Sequence, residues 1–296
     1  MSAQGSRGFV VVAVLWMLAA LAALASAYSV FAVNTAASVY LPEARLGADA
    51  AIRAAVELTA YRQLSWPKAD RPRQGGFTAR LGAARLDVAY RAETARVDVN
   101  VAPHDLLAGV FLVAGAKDQT AQYLADRIVA WRKPPQDQAE EIEEARIYHN
   151  ARLSYAPVGA PFDNVLELAL LPQMTPGLLA RALPSLTVYS GVGTINPLIA
   201  DPDVLAAVPG LTKKIVSALR DAAAGPKANS AKLSDAAGPA KDYVNVDPND
   251  NLRAEIVVAF PDRRVKAEVV LLVTDSAEEP YQILYWRDDF DGAPAY

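Results

Sequence analysis

FVVVAVLWMLAALAALASAYSVFAV, residues 9–33, contains no charged side chain. A bilayer core of ~30 Å needs about 20 apolar residues in a helix, so this stretch is long enough to cross one. Arg7 stands just before it, and the next charge after it is Glu43. A basic flank on a short N-terminal side holds that end in the cytoplasm. The chain beyond residue 33 is then expected on the far side. A cleaved secretory signal is the competing reading. Such signals have apolar cores of about 7–15 residues followed by a small-residue cleavage site, and Ala25-Ser26-Ala27 offers one.

The helical pattern outlasts the apolar stretch. Beyond Pro42, where a kink is expected, Ala48, Ala51, Ile52, Ala55, Leu58 and Thr59 fall on one stripe of residues 43–66. Arg53 and Glu57 are spaced as an i,i+4 pair on the outer face. A helix from residue 9 to about 65 would be ~85 Å long at 1.5 Å per residue. Its stripe is expected to pack against partner helices. A plain signal anchor followed by an unrelated helix is the simpler alternative.

Outward from the helix the pattern changes twice. Residues 67–76 form a loop rich in proline, glycine and basic residues. Leu86, Val88 and Tyr90 then alternate with polar neighbours, Val97 and Val99 repeat the alternation, and Gly82-Ala83 reads as a turn between strands. From residue 101 to about 222 the spacing is helical with short breaks. Helix starts are expected at Pro103-His104-Asp105, Asp163, Pro176, Asp203 and Thr212. Residues 224–241, mostly Ala, Gly, Pro, Ser and Lys, read as a mobile loop. Residues 254–260 and 265–273 make a hairpin around Pro261-Asp262, and residues 281–286 a last strand. Strands on both sides of a helical block predict an α+β fold: a long N-terminal helix and an antiparallel sheet, with an all-helical domain inserted in the sheet.

The 296 residues leave room for two compact domains beside an anchor. A net charge of −4 argues against a polyanion as main partner. The absence of cysteine excludes disulfides, thiol nucleophiles and Cys-ligated metals. His104 and His149 are the only histidines, and neither lies in a zinc-protease or nucleophile-elbow context. No phosphate loop or dinucleotide fingerprint occurs, so no enzyme is expected.

Gly8-Phe9, after a short basic leader and ahead of the apolar stretch, resembles the cleavage site of a prepilin peptidase, which leaves the helix attached. A helix buried in membrane for its first half and amphipathic in its second resembles the pilin design. Over most of its length the chain resembles the K subunit of bacterial type II secretion systems, a minor pseudopilin. Val99-Asn100-Val101-Ala102-Pro103 is similar to that family's Asn-Thr-Ala segment, with Val101 where threonine is usual. Ile195-Asn196-Pro197 followed by Pro209-Gly210-Leu211 is similar to its second copy. Trp131-Arg132, Leu168, Leu171-Pro172 and Tyr285-Trp286-Arg287 fit in order and spacing.

The resemblance implies a leader at 1–8, a membrane part of the helix at 9–33 and a periplasmic part at 34–66. It further implies first pilin strands at 67–100, an inserted helical domain and loop at 101–241, and remaining strands at 242–296. It implies a non-enzymatic tip subunit of the pseudopilus in the inner membrane, with its bulk periplasmic, partnered by the I and J subunits and binding no nucleic acid. Counting Phe9 as the first mature residue, the fifth is Ala13, where major pilins carry glutamate, a gap the K family shares. A carboxylate in lipid is costly unless paired; in pilins it is held to meet a neighbour's N-terminal ammonium.

Two chemistries accompany this reading. Glu140, Glu141, Glu143 and Glu144 are the densest carboxylate cluster, a weak calcium candidate that a solvated helix face explains as well. Pro209-Gly210-Leu211-Thr212, echoed by Leu171-Pro172-Gln173-Met174-Thr175, hints at helix-hairpin-helix turns, which grip nucleic-acid phosphate through two glycines. Both lack the second glycine. A membrane-anchored DNA-uptake receptor is the alternative function.

Overall fold

The computed structural model describes residues 6–224, 230–247 and 249–289. Two compact units divide the chain, Met1–Arg53 and Ala54–Tyr296. Helix α1, Ser6–Leu64, is a single helix of 59 residues that continues through Pro42. Within it Val10–Ser29 has a mean hydropathy of 2.5 and no buried residue. Large apolar side chains such as Trp16 and Met17 stand exposed there, a surface suited to lipid. The Ser26 hydroxyl donates to the Ala22 carbonyl at 2.8 Å, so this hydroxyl is satisfied within the helix.

In the second unit, the last turns of α1 bury Ala55, Val56, Thr59, Ala60 and Gln63. Gln63 donates to the Pro72 carbonyl at 3.2 Å, and the Arg62 guanidinium lies 4.4 Å from the Phe77 ring centroid. Five antiparallel strands follow: β1 (Gln74–Leu81), β2 (Ala84–Ala92), β5 (Asn251–Ala259), β6 (Arg264–Val273) and β7 (Tyr281–Asp288). Their spatial order is β1-β2-β5-β6-β7. Gly82, at φ +57°, closes the two-residue β1–β2 turn, a conformation glycine adopts without penalty. Alternation sends Leu86, Val88, Leu252, Ala254, Ile256, Val269 and Leu271 to one buried face.

Strand β2 pairs directly with β5, from Arg85 opposite Ala259 to Ala92 opposite Leu252. Residues 93–250 therefore leave the sheet and return to it, wider bounds than the expected 101–241. This insert holds β3 (Val97–Asp98), α2 (His104–Val113), α3 (Asp118–Trp131) and α4 (Gln138–Asn150). It continues with α5 (Pro176–Ala182), β4 (Leu186–Thr187), α6 (Pro202–Ala207), α7 (Lys213–Ala224) and α8 (Ser230–Ala237). Val97, Leu106, Leu107, Phe111, Leu124, Ile128, Leu168 and Leu186 share its main core.

Several local expectations need correction. Val97 and Val99 do not continue the five-stranded sheet: β3 pairs in parallel with β4, and both valines lie in the insert's core. The cap before the 3-10 turn Val165–Leu170 is Asn164, with Glu167 completing a capping box, rather than Asp163. Helix α6 starts at Pro202, so Asp203 is inside its first turn. Of the expected mobile loop, residues 225–229 lie outside the described residues, whereas 230–237 are helix. Leu233 and Ala237 of α8 bury against Leu219 of α7, a small second core that overrides the polar composition.

Candidate functional site

The motif residues scattered along the sequence meet at one place. Asn100 leaves β3 just before α2, and its amide makes a two-point clamp: Oδ1 accepts from the Phe162 N–H at 2.7 Å and Nδ2 donates to the Phe162 carbonyl at 2.9 Å. Phe162 stacks on Trp131, with ring centroids 5.5 Å apart and planes 11° from parallel. Arg132 turns back to donate to the carbonyls of Val99 at 2.6 Å and Ala102 at 2.8 Å. Two charge-assisted hydrogen bonds from Arg132 thus tie the α3 end to the Val99–Ala102 segment, and the Asn100 clamp ties that segment to Phe162. Asp98 beside it accepts from the amides of Gly191 at 2.8 Å and Asn100 at 2.9 Å. Burial pushes the Asp98 carboxyl above the ordinary range, and those hydrogen bonds pull against it. Asn196 acts differently: it is buried, and its Oδ1 accepts from the Leu198 amide at 3.0 Å to start a turn. Pro172 and Pro197 are buried, and Leu168 is fully so.

The two hairpins share hydrogen bonds and caps at corresponding positions. Met174 N–H donates to Leu171 and Leu211 N–H to Val208, at 3.1 and 3.2 Å. Thr175 and Thr212 each accept from the amide three residues on, both at 3.3 Å, and so cap α5 and α7. Gly210 has φ +73° and Gln173, its counterpart, φ +67°. A side chain in this left-handed region costs roughly 1–2 kcal/mol, which glycine avoids. Gln173→Gly is therefore expected to stabilise the protein by about 1 kcal/mol, and Gly210→Gln to weaken it by at least as much. A Cβ at Gly210 would also come 3.2 Å from Pro239 Cβ. Thermal unfolding of both variants checks this, and equal midpoints would refute it.

A charged network missed by sequence reasoning joins insert and sheet. Glu93, in the 3-10 turn Glu93–Ala95 after β2, is 1% exposed. Its carboxylate takes Arg253 Nε at 2.7 Å and Nη2 at 3.0 Å, and it accepts from the Thr187 hydroxyl of β4. Arg253 also contacts Glu268, which in turn holds Arg287. Burial works against the Arg253 charge, but the two carboxylates prevail and hold its pKa above the ordinary value. Burial likewise raises the Glu268 carboxyl, and Arg253 and Arg287 outweigh it, leaving it below the usual range. The signal available in sequence was only a glutamate and an arginine in strand-like surroundings, 160 residues apart.

The family model of the type II secretion system protein K matches residues 84–191, which run from β2 past β4 and include the Asn100 clamp and the first hairpin. These residues are a type II secretion protein K domain. The match to this secretion family is to that segment of the chain. By fold, it is similar to a chain in the crystal structure of the GspK-GspI-GspJ complex from the enterotoxigenic Escherichia coli type 2 secretion system. The TM-score is 0.59 at 12% identity, covering 86% of this chain and 99% of that one. No curated protein matches the sequence significantly.

Outside the protein K domain, other candidates fare unevenly. In the α1 stripe Ala48, Ala51, Ile52, Ala55 and Thr59 are buried, whereas Leu58 is exposed. A buried side chain has no surface to offer a partner helix, so within the second unit Ala55 and Thr59 do not serve the expected packing role. Arg53 bonds Asp49 at 2.8 Å, one turn earlier. Gly8 and Phe9 lie within α1, and Ala13 is half-exposed in its apolar part.

Within the protein K domain, the glutamate cluster disperses. Glu144 pairs with Arg127 at 2.6 Å, Glu143 with Arg146 at 2.7 Å, and Glu140 accepts from the Gln136 amide at 2.7 Å. With Glu141 they form no convergent set, and no three Asp, Glu or His groups among the described residues could hold a metal ion.

Proposed function

We propose that this chain is a non-enzymatic subunit at the tip of the type II secretion pseudopilus, assembling with the I and J minor pseudopilins. Helix α1 anchors it once in the inner membrane, N-terminus in the cytoplasm and bulk in the periplasm, and it works in export across the outer membrane. The observation that carries this reading is one chain combining a protein K domain with an exposed apolar helix of pilin length. Basic Arg7 before the apolar segment supports the orientation. Ala13 supports the tip position: without a carboxylate there, the chain lacks one contact by which a pilin would engage its neighbour inside the filament. The name of the solved GspK-GspI-GspJ complex supports the choice of partners.

N-terminal sequencing of the protein from membranes tests the reading. The mature chain is expected to begin at Phe9, and Gly8→Ala is expected to leave the leader attached and abolish export. A start near residue 28 would identify a cleaved secretory signal and remove the proposal.

A further inference from the structure

Strands β2 and β5 set Arg91 directly opposite Arg253, and the turn after β2 brings Arg96 beside them. Like charges facing one another on a sheet are destabilising unless each finds a carboxylate. Arg91 has Asp201 at 2.7 Å, and Arg253 has Glu93 and Glu268. Arg96 is different. Among the described residues its guanidinium makes no hydrogen bond and no ion pair, although it is half-buried. Burial, and then the charge of Arg253, hold its pKa below the ordinary arginine value, against the opposing pull of Glu93, Glu268 and Glu255. A guanidinium kept in such a place with its fork of donors unused suits a planar, bidentate acceptor.

The surroundings are hollow. A cleft of about 500 Å³ is lined by Arg91, Arg96 and Arg253 together with Glu93, Asp201 and Glu255. A second hollow of about 220 Å³ shares Arg96 and Arg253, and its lining combines Glu268 and Arg287 with apolar surface from Leu166, Leu183, Pro184 and the rings of Tyr189 and Tyr285. Leu166 is 52% exposed, unusual for a leucine beside a packed domain. The two hollows together fit a charged group with an apolar neighbour, a combination found on a peptide and not on a simple anion. We propose that Arg96 is a docking residue that receives an acidic side chain of a partner subunit, whose adjacent apolar residue enters the hollow beside Leu166. This rests on the pseudopilus reading above.

The test uses the full chain in detergent and the I and J subunits of the same organism, with affinity and melting temperature measured together. Wild-type binding is expected to weaken as salt rises. Arg96→Gln is expected to weaken it at least tenfold and Arg96→Glu further, while the Arg96→Gln melting temperature stays equal or rises, because an unpaired buried charge has been removed. Arg220→Glu, an exposed change on α7, is expected to bind as wild type. If wild type binds and both Arg96 variants bind equally well, the docking site is wrong and the subunit reading stands. The same conclusion follows if Arg220→Glu weakens binding as much, or if the Arg96 variants lose binding only together with their fold. No binding by wild type would overturn the subunit reading, and this occupant with it.

Discussion

Glu93→Ala is expected to destabilise the protein by about 3–5 kcal/mol, the usual cost of removing one partner from a buried ion pair. Arg253, with its side chain 11% exposed, would keep its charge and lose the better of its two acceptors. The Thr187 hydroxyl would lose its acceptor as well. Since Arg253 belongs to the sheet and Thr187 to the insert, the substitution strikes the junction of the two. A loss of that size corresponds to a fall in melting temperature on the order of 10 °C for a chain of this length. Thermal unfolding in detergent reads it directly; a fall under ~2 °C would mean that the pair does not join insert to sheet.

Glu268 supplies a pH test of the same network. Its folded pKa lies below the ordinary carboxylate value, so its contribution is complete above the unfolded pKa of ~4.3 and is lost as pH falls through the folded value. The advantage of wild type over Glu268→Gln should be full at pH 7 and shrink as the pH drops below about 4. The comparison has to be a difference between variants. Asp98 and Glu144, both raised chiefly by burial, have the opposite sign: their contributions are largest at low pH and decline as pH rises through their folded values. Glu93→Ala and Glu268→Gln together should not add, because both act on one guanidinium.

The elements that were legible in sequence are those with a local signal. An uncharged run of membrane length, alternation along β2, β5 and β6, and proline or threonine at helix starts each depend on neighbours within a few residues. What escaped depends on the rest of the chain. Val97 and Val99 alternate as a pilin strand would, yet alternation reports that one face is buried and not which sheet buries it. Residues 230–237 have a loop's composition, and become helix because Leu219 offers Leu233 and Ala237 a surface. Leu58 and Val56 both suit an apolar stripe, and only packing decides that Val56 is covered and Leu58 exposed. The site divides in the same way. Asn100, Trp131 and Pro172 stood out as motif letters, but the clamp on Phe162 that gives Asn100 its purpose spans 62 residues. Arg96 carried no letter at all, since an arginine without a partner looks in sequence like any other.

Gly109→Ala sets local propensity against packing, with opposite signs. Alanine is better than glycine inside a helix by roughly 1 kcal/mol, so α2 taken alone should gain stability. The fold places α2 against α6 at this residue. A Cβ on Gly109 would sit on the Ala207 carbonyl oxygen, with the carbonyl carbon 2.9 Å and the Cα 3.3 Å away. These are backbone atoms near the end of α6, and no rotamer change moves them aside. Overpacking in a filled core typically costs 1–3 kcal/mol, and a clash with main chain belongs at the top of that range. The expected outcome is a net loss of about 2–3 kcal/mol, the packing penalty exceeding the propensity gain. Gly47→Ala in α1, where a Cβ would meet nothing within 4 Å, provides the control and should be neutral or slightly stabilising. If Gly109→Ala instead melted higher than wild type, α2 and α6 could not be in contact there, and the helical core that carries the Asn100 clamp would have to be packed some other way.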